Sequence, residues 1–198
     1  MSILEPPFLE EALRSAELKI NRILGAKTKI SIHIMLDDRL AEIIEFMDSQ
    51  MFREELRYTR TEILERGEQK GFILFLCTVE EKPICLLYGY ADPEVANGFY
   101  LDTLATLIGG KGIGSTLLAT MLIYCFEAGF NILSLYTEEK DEKNRPLRKF
   151  YEAVGLEYIL TNNFGDLMQI QLDPKHLASI YNKYVWGQES LNQQPMNG

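Results

Sequence analysis

The stretch Gly109-Gly110-Lys111-Gly112-Ile113-Gly114-Ser115-Thr116-Leu117-Leu118 decides how this chain is read. Four glycines in six residues exceed what a tight turn needs. The segment is therefore read as a loop whose backbone lets a ligand approach closely. It opens an apolar helix in which Ile113, Leu117, Met121 and Cys125 form one stripe and Leu118, Leu122 and Phe126 the next. Such breadth calls for burial against a sheet. Just before the loop, residues 99–107 form an apolar strand that carries Asp102 and two threonines. A strand, a glycine loop and a helix together place the free N–H groups of a helix's first turn where they attract anions. This arrangement alone specifies a phosphate-bearing ligand, with a simple strand-to-helix turn as the plainer alternative. The pattern G-x-x-x-x-G-K-[ST] fails because Lys111 is followed by Gly112, and G-x-G-x-x-G fails because its third glycine falls on Ser115 or Leu117.

Outward from the loop, hydrophobic periodicity supplies the remaining elements. Residues 8–24 read as an amphipathic helix stopped by Gly25, and residues 29–36 as a strand. Asp37-Asp38 can cap a helix running through Leu40, Ile43, Ile44 and Met47. Residues 53–69 read as a second, more exposed helical segment. Residues 72–80 and 84–91 form a hairpin turned at Glu81-Lys82-Pro83. Beyond the apolar helix come a strand at 131–137, a charged loop at 138–143 and a short helix with Leu147, Phe150, Tyr151 and Val154 on one face. Strands at 156–160 and 167–172 flank a polar turn at 161–165, and a last helix covers 175–185. The order is neither strict βαβ alternation nor all-β. An α/β (α+β) fold follows, with a single mixed, mostly antiparallel sheet flanked by helices on both faces. Residues 1–187 are expected to form one domain and 188–198 a disordered tail.

The chain has 198 residues, with 29 acidic and 20 basic ones, giving a net charge of −9. A hydrophobic share of 46% supports a sizeable core. No Lys/Arg-rich stripe appears, so no nucleic-acid partner is expected. Acidic residues at Glu5, Glu10, Glu11 and Glu17 break any leader pattern, and no apolar run is long enough to span a bilayer. A cytoplasmic protein without membrane contact is expected. Cys77, Cys85 and Cys125 sit among apolar neighbours without C-x-x-C spacing, which reads as buried thiols. His33 and His176 are the two histidines, too few and too scattered for a metal site, so none is expected.

The glycine loop resembles the cofactor signature of the GNAT superfamily of acyl-CoA-dependent N-acyltransferases, Arg/Gln-x-x-Gly-x-Gly/Ala. Gly112 and Gly114 match its two glycines, with the strand before and the apolar helix after in place. Thirty residues on, Asn144, Phe150, Tyr151 and Gly155 match a second family motif, Asn-x-x-Ala-x-x-Phe-Tyr-x-x-x-Gly-Phe. Leu147 stands for its Ala and Leu156 for its last Phe. The likeness covers residues 72–160 well. Gly109 departs from it, occupying the Arg/Gln position and removing a side-chain contact to the pyrophosphate of the cofactor. Lys111 is a candidate to restore that charge.

The resemblance implies transfer of an acetyl group from acetyl-CoA, as co-substrate, to a primary amine of a small molecule or peptide by direct attack. The other reading is a non-catalytic acyl-CoA-binding or protein-interaction module of the same fold, motivated by Gly109 and by a loop from Leu104-Ala105-Thr106 to Gly109 that is shorter than the family's. Acetyl-CoA contacts are implied at Leu104, Ala105, Thr106, Gly109, Gly110, Lys111, Gly112, Ile113, Gly114, Ser115, Asn144 and Tyr151. Leu104 to Thr106 match the stretch whose backbone N–H polarises the thioester carbonyl. Tyr151 matches the tyrosine placed near the sulfur, where a phenol can protonate the departing thiolate; core packing is the competing reading. Asp102 is the candidate base or amine-orienting carboxylate, with a structural role as the alternative. Tyr90 and Tyr136, at strand ends, are candidate groove residues. The acid excess is compatible with a cationic acceptor, and exposed edge strands are compatible with a homodimer.

Overall fold

The computed structural model describes residues 3–141 and 145–186. The expected tail at 188–198 and the candidate Asn144 lie outside the described residues. Helix α1 spans Leu9–Leu24 and ends where Gly25 takes a left-handed φ of 64°. Strand β1 (Thr28–His33) stops short of the expected residue 36. Helix α2 (Asp38–Met51) starts at Asp37, whose carboxylate accepts from the Leu40 N–H.

The segment 53–69 is not one helix. A short 3-10 turn at Glu54–Leu56 is followed by an extended Arg57 and then by α3 (Arg60–Gly67). Thr59 and Glu62 form a reciprocal capping box that fixes where α3 begins. The charged residues on both sides of Thr59 had hidden that start.

Strands β2 (Ile73–Val79), β3 (Lys82–Ala91) and β4 (Gly98–Thr106) form an antiparallel meander. The first turn lies at Glu80-Glu81, both with positive φ, one residue earlier than expected. Helix α4 (Ile113–Glu127) crosses over to β5 (Ile132–Thr137), which pairs parallel to β4. Helix α5 (Leu147–Val154) leads to the hairpin β6 (Glu157–Asn162) and β7 (Gly165–Gln171). Helix α6 (Pro174–Tyr181) runs into a π turn at Asn182–Trp186.

The seven strands make one sheet in the order β1-β2-β3-β4-β5-β7-β6. Alternation along each strand builds two cores. Phe75, Cys77, Cys85, Leu87, Phe99 and Leu101 face α1, α4 and α6. Leu74, Leu76, Leu86, Tyr88 and Ala105 face α2 and α3. Burial of both faces explains the unbroken apolar run of β2. All three cysteines are free and buried, and burial pushes the Cys77 thiol up to about 12.

Two irregularities position the site. The β4–β5 ladder pairs Gly98 with Ile132 and ends at Tyr100 with Ser134, although both strands continue. The strands therefore splay and leave a cleft in the sheet. The β3–β4 register passes from Gly89↔Leu101 to Tyr88↔Thr103, so Asp102 bulges out of the ladder. Gly89 permits this close approach, since a Cβ there would lie 2.1 Å from the Tyr100 carbonyl oxygen.

Candidate active site

A cavity of about 1120 Å³ fills the splay between β4 and β5. One end is built by the glycine loop. Gly110 and Gly112 have φ of 72° and 75°, the left-handed region that glycine adopts freely. Gly112 caps α4 with no side-chain hydrogen bond, and no acidic residue occupies the helix's first turn. The first-turn N–H groups therefore lack a capping side chain, and the positive end of the helix is left for an anion. The Ser115 hydroxyl donates to the Gly112 carbonyl at 3.0 Å, which braces the turn.

Position 109 has a neighbour the sequence did not reveal. A Cβ added to Gly109 would lie 2.7 Å from Nη1 of Arg145, which comes from the segment ahead of α5. Arg145 pairs with Asp141 through Nε and remains about half exposed at the cavity wall. The guanidinium thus occupies the space a side chain at 109 would take. Lys111 is exposed and does not line the cavity.

Tyr151, on α5, lines the cavity. It is 9% exposed, and its ring meets Phe150 edge-on at 5.0 Å. Burial alone pushes its phenol above the ordinary value, so the hydroxyl keeps its proton at neutral pH. Among the described residues, no hydrogen bond to that hydroxyl is found.

The other end of the cavity is aromatic and acidic. The rings of Tyr90 and Tyr100 lie 5.7 Å apart, Tyr100 and Tyr136 6.4 Å, and Tyr136 and Phe164 5.7 Å. Below them the Asp102 side chain is 2% exposed. Its Oδ1 accepts from the Tyr58 hydroxyl at 3.0 Å, and its Oδ2 from the Tyr90 hydroxyl at 2.9 Å and from Arg66 Nε at 3.0 Å. The Arg66 guanidinium also stacks over the Tyr58 ring at 3.5 Å. Burial, with the Asp102 charge, pushes the Tyr58 phenol up to about 12.

Asp48, on α2, lines the same wall. It is 2% exposed, and its Oδ1 has no hydrogen-bond partner. Burial lifts its carboxyl to about 7, with the Asp102 charge adding to the rise and the Tyr58 N–H, Arg57 and Arg66 opposing it.

Among the sequence-derived candidates, Asp102, Leu104, Thr106, Gly109, Gly110, Gly112, Ile113, Gly114, Ser115 and Tyr151 line this one cavity, as do Tyr90 and Tyr136. Ala105 points the other way, into the core beneath α2. Asp48, Tyr58, Arg66 and Arg145 were missed. Asp48 did leave a signal, because it falls seven residues after Ala41 and four after Ile44, on the buried stripe of α2. Arg145 left none beyond its place next to Asn144.

Comparison with known proteins fits this geometry. The family model described as Acetyltransferase (GNAT) family matches residues 38–156. A search of curated proteins found no match. Among solved structures, the chain is similar to the ribosomal-protein-S18-alanine N-acetyltransferase from Escherichia coli, at 13% identity and a TM-score of 0.59, covering 74% of this chain and 94% of that one. It is similar to the aminoglycoside 6'-N-acetyltransferase from Enterococcus faecium at 16% identity and 0.61, covering 73% and 97%. It is also similar to the PaiA N-acetyltransferase from Thermoplasma acidophilum, solved in complex with coenzyme A, at 17% identity and 0.54, covering 72% and 99%. The family model spans more than half of the chain and contains the glycine loop, Asp102 and Tyr151. The chain belongs to the GNAT acetyltransferase family.

Proposed function

We propose that this protein is a cytoplasmic N-acetyltransferase that moves the acetyl group of acetyl-CoA onto a primary amine by direct attack. One observation carries the reading. A single cavity joins an uncapped helix N-terminus and glycine loop to a buried tyrosine and to an aromatic, acidic wall.

The glycine end suits the pyrophosphate of coenzyme A, where the backbone N–H groups of residues 113–115 would act as donors. Arg145 supplies the charged side chain that position 109 lacks. A backbone N–H of the Leu104 to Thr106 stretch would polarise the thioester carbonyl. Tyr151 would give its proton to the thiolate as the C–S bond breaks. Asp102 is a positioning residue in this reading: its two oxygens are occupied by Tyr58, Tyr90 and Arg66, so it orients the acceptor wall. No described helix is long and apolar enough to cross a membrane. The exposed edge strand β6, with Tyr158, Ile159 and Leu160 partly open, supports a homodimer, checked by light scattering.

The test is thermal shift with acetyl-CoA followed by thiol release over polyamines, amino acids, aminoglycosides and peptide N-termini. A ligand at a hundred times its dissociation constant stabilises by about 2.7 kcal/mol. A shift with amine-dependent thiol release is expected. A shift without release from any amine would instead support an acyl-CoA-binding module.

A further inference from the structure

The carboxylates of the acceptor wall are not equivalent. Asp102 is neutralised by Arg66, and Glu138 by Arg53. Asp141 pairs with Arg145 at the glycine end. Asp92 accepts from the Ser134 hydroxyl and from the N–H groups of Glu94 and Val95. Glu94 is exposed at the rim. Asp48 alone among these is both buried and left with an oxygen lacking a partner. An unpaired buried carboxylate oxygen is costly and calls for an explanation; the Tyr88 hydroxyl, which faces Asp48 from β3, is the other buried polar atom without a partner among the described residues. Beside polar Thr103, Ser134 and Gln169, the lining carries an apolar and aromatic set: Met51, Phe52, Leu56, Tyr58, Tyr100 and Phe164.

We infer that the acceptor is a monocationic arylalkyl or alkyl primary amine whose ammonium docks on Asp48, which then takes its proton, while its apolar body lies along the aromatic wall. The inference rests on the acetyl-transfer reading and names its acceptor. A polycation has no second uncompensated buried carboxylate to meet. The proton accounting closes. The ammonium gives one proton to Asp48, and the freed lone pair forms the N–C bond to the thioester carbonyl. The C–S pair leaves on sulfur, Tyr151 protonates that thiolate, and the Tyr151 oxygen recovers a proton from the acetylated nitrogen. Asp48 finally releases its proton to water.

Asp48 faces Tyr58, Arg57 and Arg66 from the α3 side, Tyr88 from β3 and Asp102 from β4. With its carboxyl near 7, ammonium binding should strengthen as pH rises through neutrality and weaken below it. The experiment is calorimetric titration of the CoA-bound protein with 2-phenylethylamine between about pH 6 and about pH 8, beside spermidine, in wild type and Asp48→Asn. Expected are binding roughly tenfold tighter at the higher pH, preference over spermidine, and loss of both affinity and pH dependence in Asp48→Asn. Asp48→Glu should recover part of the pH dependence, which a purely structural role would not produce. Undetectable 2-phenylethylamine binding, tighter spermidine binding, or an Asp48→Asn profile matching wild type would overturn the inference. Because binding is read without turnover, failure of acetyl transfer and failure of the Asp48 assignment remain distinguishable.

Discussion

Arg66 and Asp102 form an ion pair at 3.0 Å on the floor of the acceptor wall, with the carboxylate 2% and the guanidinium 23% exposed. Breaking such a pair leaves an uncompensated buried charge. Arg66→Met should cost about 3 kcal/mol in urea denaturation. The double variant Arg66→Met/Asp102→Asn should recover part of that loss, because no lone charge remains. Equal stability of wild type and Arg66→Met would show that the pair does not hold the wall.

Arg145 and Gly109 make a second pair whose test is a rescue. Arg145→Ala should raise the KM for acetyl-CoA about tenfold, in keeping with loss of a charge-assisted hydrogen bond worth roughly 1.5–3 kcal/mol. Gly109 does not have a left-handed φ, so a side chain fits its backbone once Arg145 is gone. Gly109→Arg in the Arg145→Ala background should return the KM toward wild type. An unchanged KM in Arg145→Ala would remove Arg145 from the cofactor site.

Tyr151→Phe keeps the ring that packs on Phe150 and deletes the unpartnered hydroxyl. Turnover should fall on the order of a hundredfold, the lower range for general acid catalysis, while the KM for acetyl-CoA stays within about twofold. Steady-state kinetics decide it, and a turnover equal to wild type would leave Tyr151 as packing alone.

The sequence made the frame legible because its signals were local. Glycine spacing at 109–114, alternation in β2 to β4 and the stripe of α4 are each set by neighbours within a few residues. The capping box at Thr59 went unread because charged residues on both sides concealed the break. The site was legible where a motif is contiguous, from Leu104 to Ser115 and at Tyr151. It was opaque where distant segments meet. Arg145 reaches Gly109 across 36 residues, and the Tyr58, Arg66 and Asp102 cluster joins three elements. Asp48 was half-legible, a carboxylate on an apolar stripe whose meaning depends on what packs over it.

Asp48 also predicts a stability signature. Its folded carboxyl lies near 7, above the ordinary 3.8, so the native state is favoured while the group is protonated. That contribution is fully present below about pH 4 and is lost as pH rises to about 7. Asp48→Asn, neutral throughout, should therefore gain stability over wild type as pH rises across this window. Urea denaturation at both ends measures it; a pH-independent difference would contradict the burial of an unpaired carboxylate.

The central claim is acetyl transfer to an amine nitrogen, and mass spectrometry of the product tests it most directly. Wild-type protein incubated with acetyl-CoA and a panel of primary amines should yield an N-acetylated amine with one free CoA per product, strongly reduced in Tyr151→Phe. Protein that binds acetyl-CoA yet forms no acetylated amine with any member of the panel would contradict it.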